Sequence, residues 1–104
     1  MTARQLLLLD EAAQDLQRGK RFYEANQAGI GDYFFDSVLA DIESLVLYAG
    51  IHGKKFGLYR MLAKRFPFTI YYDMTDSLII VVAILDSRRN PFWIQQRLSN
   101  DHGA

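Results

Sequence analysis

The 104-residue chain contains no cysteine, which excludes a disulfide framework, a thiolate metal site and a cysteine nucleophile. Histidine is nearly as scarce. His52 and His102 fall in an expected loop and tail with no second ligand at metal spacing, so both read as solvated. No metal and no other cofactor is expected. Long apolar runs are missing too. Leu6-Leu7-Leu8-Leu9 is followed at once by Asp10-Glu11, which is too short for the core of a signal peptide. Leu78 to Leu85 falls far below the roughly 20 apolar residues that a membrane helix needs. The expectation is a soluble, unprocessed, cytoplasmic protein with no membrane association.

An excess of either charge is also lacking, with 12 basic and 12 acidic residues. That balance weakens any claim to strong nucleic-acid binding. The two halves differ, however. Residues 1–50 carry four basic and eight acidic side chains, a net −4, and residues 51–104 the reverse, +4. The basic C-terminal half suits an acidic partner or a phosphate backbone.

What is present is ordinary globular material. Half of the residues are hydrophobic and 23% are charged, enough apolar surface for one domain over residues 1–104. Arg4 to Leu9 reads as a short strand. Asp10 is placed to cap a helix from Glu11 to about Asn26, whose Ala12, Leu16, Gly19 and Tyr23 share one face. The glycines of Ala28-Gly29-Ile30-Gly31 suit a tight turn. A second helix is expected over 32–49, with Phe35, Val38, Leu39, Ile42, Leu45, Val46 and Ala49 as its stripe and Gly50 as its stop. The short connection makes the pair an antiparallel hairpin.

Ile51 to Gly57 reads as a loop. Strands follow at 58–63, 68–73 and 78–85, and their short turns imply an antiparallel meander. Asn90-Pro91 opens a short helix through about Leu98, and 99–104 is expected to be a frayed tail. The fold class is α+β: a strand, a helical hairpin, a three-stranded meander and a C-terminal helix, with four strands in one sheet. The run Leu78-Ile79-Ile80-Val81-Val82-Ala83-Ile84-Leu85 is apolar on both faces, so this strand is central and covered on both sides. The hairpin covers one face. For the other only the short last helix is available, and two readings stand: a partner protein covers what this helix leaves open, or the helix folds fully across.

Ordered motifs across residues 4–98 give the chain a resemblance. They are Leu9-Asp10-Glu11-Ala12-Ala13, Phe22-Tyr23-Glu24, Gly29-Ile30-Gly31 before Phe34-Phe35, Tyr59-Arg60, Arg65-Phe66-Pro67-Phe68 with Tyr71-Tyr72, and Arg88-Arg89-Asn90-Pro91 with Trp93. In this order and spacing the chain resembles the RelE/ParE toxins, with a lean to the ParE-like branch. The resemblance implies a toxin–antitoxin module associated with plasmid stabilisation, in which a cognate antitoxin binds the toxin in a homo- or hetero-oligomeric complex. RelE-type members cleave messenger RNA on the ribosome, whereas ParE-type members poison DNA gyrase.

The residues bear on that choice. A metal-free ribonuclease must deprotonate a 2′-hydroxyl, stabilise a phosphorane and protonate the leaving oxygen. If the chain were a nuclease, the resemblance would place Arg60, Arg88 and Arg89 in that site. The second lysine of the RelE pattern falls on Leu62, its next arginine near Phe68 and its C-terminal tyrosine nearest Trp93, whose indole cannot transfer a proton at neutral pH. The charge-stabilising set is therefore partial, which argues against efficient catalysis. A binding role asks less. Arg60, Tyr72, Arg88, Arg89, Trp93 and Arg97 are the candidate contacts to target or antitoxin, with Trp93 and Arg97 on one helical face. The competing reading pairs Arg89 and Arg97 with carboxylates such as Asp86 and packs Trp93 on the sheet.

Other features carry less. Asp10-Glu11 fits helix capping better than acid–base work, and Lys54-Lys55 and Lys64-Arg65 read as solvated loop charges. Tyr71 and Tyr72 point to opposite faces of their strand, one into the core and one at a partner groove. The two glycines near residue 30 lack the strand and third glycine of a phosphate loop. A third functional class stays open: a non-toxic relative that only binds its antitoxin.

Overall fold

The computed structural model describes residues 4–101, the last two by backbone alone. Its elements are β1 (Gln5–Leu8), α1 (Asp10–Asn26), α2 (Ile30–Glu43), α3 (Leu45–Tyr48), β2 (Lys54–Lys55), β3 (Leu58–Leu62), β4 (Phe68–Met74), β5 (Leu78–Asp86) and α4 (Pro91–Asp101). The sheet order is β1-β5-β4-β3-β2. β3, β4 and β5 form the expected antiparallel meander, and β1 runs parallel to β5 with Gln5 opposite Leu78.

The class is α+β as expected, with local corrections. The sheet has five strands, because Lys54–Lys55, expected in a loop, pairs with Leu58 and Tyr59. This edge is two residues long and lysine-only, a form that discourages further strand pairing. The second helix divides at Ser44, whose hydroxyl donates to the Asp41 carbonyl at 2.6 Å. Within α2 the deeply buried aromatic is Phe34, with Phe35 only partly covered. Asp10 does not cap α1: Leu9 holds the cap position with no side-chain bond, and Asp10 is the first helical residue. Its charge still lies near the positive end of the helix. The last helix reaches Asp101, three residues beyond its expected end, and His102 lies outside the described residues.

Gly29 does the turning. Its φ of 90° is left-handed, and the Glu24 carboxylate accepts from the Gly29 and Gly31 N–H groups at 3.0 and 2.9 Å. The start of α2 is thus occupied by an anion of the chain itself. Asn90 caps as expected, its Oδ1 accepting from the Phe92 N–H at 2.7 Å.

β5 is central and buried on both faces, and a bulge sorts its side chains. Tyr71 pairs with Ala83 and Tyr72 with Val81, which leaves Val82 as an extra residue. The parity of the strand therefore flips there. Ile79 and Val81 face the helical hairpin before the bulge and Ile84 faces it after, while Val82, Ala83 and Leu85 join Tyr71 and Leu58 on the second face.

α4 lies on that second face, with Ile94 and Leu98 buried against it. Leu58, Tyr71, Val82, Ala83 and Leu85 are at most 4% exposed. Of the two readings for this face, coverage by the helix itself holds for the middle. At the flanks, Leu62 on β3 and Leu7 on β1 remain 59% and 46% exposed.

Candidate functional site

Where α1, α4 and the end of β5 meet, the surface opens into a groove of about 400 Å³. Gly19, Phe68, Ile84 and Leu85 form its apolar floor. Phe22 stands on one wall and Trp93 on the other, and Arg18, Arg89 and Arg97 bring guanidinium groups to it.

The arrangement begins with Asp15, which α1 points inward one turn before Gly19. Its carboxylate is buried, yet fully engaged: one oxygen accepts from the Ile84 N–H at 3.0 Å and from Arg97 at 2.7 Å, and the other from Arg18. One side chain therefore ties α1, β5 and α4 together. Arg97 also approaches Glu11 at 3.8 Å. This arginine, expected as a partner contact, is mostly buried and spent on internal carboxylates. Burying that charge is tolerable because it is paired and hydrogen-bonded.

At the other end of the groove, Asp86 accepts from the Arg88 backbone N–H, Nε and Nη2 at 2.9, 3.0 and 2.7 Å. These bonds hold the Asp86 carboxyl below its usual value. Arg88 also faces the Tyr23 hydroxyl, whose pKa is raised, chiefly by burial. The Arg88 side chain is largely exposed and is held in place by Asp86. Arg89 is different. Its guanidinium lies over the Trp93 ring, 4.1 Å from the centroid, and both residues are exposed at the rim. Stacking of this kind fixes an arginine without consuming its hydrogen-bond donors.

The remaining expected contacts lie elsewhere. Tyr72 is a correction: it is fully buried against the hairpin, not at a partner groove. Its hydroxyl accepts from the Gly50 N–H at 2.9 Å and lies 2.5 Å from His52 Nδ1. His52, expected to be solvated, is partly buried, and desolvation lowers its pKa. Tyr71 takes the opposite face, as alternation requires, and is buried as well, beneath α4. Arg60 is partly buried on β3 opposite Tyr71, which is itself opposite Ala83. It therefore lies two strands across from β5, about 10 Å by the usual strand spacing, and three residues short of Asp86 along it. The would-be nuclease arginines sit apart, with Arg88 held by Asp86 and Arg89 by Trp93.

Of the charged and aromatic residues on the α1 side of the groove, Asp15, Arg18 and Phe22 are not among the expected contacts. Their spacing of three and four places them on one side of α1, adjacent to the apolar stripe. An acidic residue so close to that stripe was a usable signal. Its partner Arg97, 82 positions away, was not.

No family model matches the chain, and no curated protein matches it. Solved structures do. A chain of the structure described as "Chromosomal ParDE TA system from P. aeruginosa" matches with a TM-score of 0.72 at 17% identity. The match covers 79% of this chain and 94% of that one. The chain described above is thus similar in fold to a component of that ParDE system.

Proposed function

We propose that this chain is the toxin of a type II toxin–antitoxin module, of the ParE-like kind. It acts in the cytoplasm by binding a target protein, DNA gyrase, and a cognate antitoxin neutralises it. The observation that carries this reading is the fold shared with a ParDE system over nearly the whole of the matched chain. A binding role rather than a catalytic one is supported by the residues. Leu62 is an exposed leucine where a RelE-type nuclease would have a lysine. Trp93 is occupied with Arg89 and supplies no proton. Arg89 and Trp93 form a preorganised pair at the rim of a groove, of the residue types that dominate interface energetics.

Induced expression tests the reading. The expected result is arrested growth with DNA-damage signalling, together with loss of supercoiling when purified chain is added to gyrase. Truncated transcripts with intact supercoiling would replace it with the RelE-like ribonuclease. Normal growth with stable binding to the product of the adjacent reading frame would leave only antitoxin binding.

A further inference from the structure

The groove between α1 and α4 has a charge and shape that specify what enters it. Its two carboxylates are already committed, Asp15 to Arg18 and Arg97, and Asp86 to Arg88. Counting these three arginines and Arg89 against the two aspartates and Glu11, four cations stand against three anions. The surplus lies on Arg89, whose hydrogen-bond donors remain available while its flat face rests on Trp93; Arg18 gives one nitrogen to Asp15 and is half exposed, which leaves its other donors open to the groove. Between them the floor is apolar, and Phe22, 58% exposed, faces the groove opposite Trp93. The Phe22 ring meets Tyr23 edge-on, 5.2 Å between centroids, and leaves more than half of its surface open beside the groove.

We infer that this groove is the docking site for an acidic segment of a partner protein. A bulky apolar side chain of that segment sits on the floor between Phe22 and Trp93, and flanking carboxylates bind Arg89 and Arg18. Carboxylates suit the fork of a stacked guanidinium. A polyphosphate backbone fits less well, because it would bring dense negative charge beside Asp86 and Glu11 and leave the apolar floor unfilled. The inference rests on the toxin reading only for the partner's identity as antitoxin or target. The groove chemistry is independent of it.

Trp93 is the sole tryptophan of the chain, so its emission reports on the groove directly. The test begins by selecting a random 12-residue peptide display library on the immobilised full chain. Enriched peptides are then titrated against the chain in solution while Trp93 fluorescence is followed. The expected peptides carry carboxylates on both sides of a large apolar residue and change the emission. They should lose about tenfold or more in affinity with Arg89→Glu and with Phe22→Ala, and weaken as salt rises. Both substitutions are at exposed positions, and a thermal melt checks that the fold is retained.

Peptides without acidic bias, unchanged Trp93 emission or equal binding to Arg89→Glu would overturn the assignment. So would displacement of the peptide by a single-stranded oligonucleotide at lower concentration. An emission change on dilution of the chain alone would instead make a second copy the occupant, and also overturn it. The two readings fail separately. Peptide binding with normal growth and intact supercoiling removes the toxin and keeps the groove, whereas toxicity without peptide binding does the reverse.

Discussion

The two faces of the sheet are closed by different means. On the hairpin side, α1 and α2 bring a continuous apolar surface, and Tyr23, Phe34, Phe66 and Phe68 lock together with ring centroids 4.9–6.3 Å apart. The rings meet edge-on, tilted or stacked, so dispersion and close packing hold that side. On the other side a single helix of 11 residues does the covering. It brings two buried apolar side chains, Ile94 and Leu98, and its attachment is completed by Arg97 on the buried Asp15. A well-packed face leaves no groove at the sheet, although Leu47 and Ile51 at the end of the hairpin layer stay exposed. A face closed by one pinned helix leaves a groove beside it, and the candidate site is that groove.

The largest effect should come from breaking the pin. Asp15→Ala leaves Arg97 short of a carboxylate and the Ile84 N–H without an acceptor, costing about 3–5 kcal/mol. Urea unfolding measures it, and hydrogen exchange should show α4 protection falling before that of the hairpin. Equal loss in both regions would erase the distinction between the faces.

Overpacking the hairpin face should cost less, about 1–3 kcal/mol. A Cβ at Gly19 would lie 2.5 Å from Phe34 Cζ, and the surrounding rings leave Phe34 little room to move. Gly19→Ala should therefore lower the unfolding midpoint although alanine favours helix. An unchanged or raised midpoint would mean that the aromatic cluster is looser than its geometry implies.

A smaller, pH-dependent effect belongs to the hairpin side. Burial lowers the His52 pKa, so the unfolded chain binds a proton more readily than the folded one. The contribution is intact above the unfolded value of about 6.5 and is lost as pH falls through the folded value. Unfolding midpoints taken from pH 7.5 downwards should decline, and His52→Gln should flatten that part of the profile. A decline identical in the variant would assign it to other groups.

The smallest stability change is expected at the rim. Arg89→Ala removes a stacked, exposed side chain and should shift stability by no more than about 0.5 kcal/mol. The same change should relieve growth arrest or weaken the antitoxin complex. Full toxicity with unaltered antitoxin affinity would take Arg89 out of the interface.

Much of this architecture was legible beforehand. The doubly apolar run from Leu78 to Leu85 announced a central strand, Gly29 and Gly50 marked turns that do adopt positive φ, and Asn90-Pro91 opened a helix where expected. These signals are local: each depends on neighbours a few residues away and on backbone sterics. The site was less readable. Arg89 and Trp93 do meet at the groove, but in the sequence Arg97 and Tyr72 look like equal candidates. An arginine bound to a carboxylate 82 residues away has the same local sequence as one that is free for a partner.

By itself, then, the sequence determined the order of elements, the meander and the apolar stripes, because periodicity and turn chemistry act at short range. Tertiary structure decided the rest. The bulge at Val82 chose which residues of β5 face which layer. The Asp15–Arg97 pair decided that the last helix closes most of the second face. The approach of α1 to α4 made Phe22, Arg89 and Trp93 into one groove. Each outcome rests on contacts between distant segments, where packing and charge pairing select among arrangements that local preferences leave equally allowed.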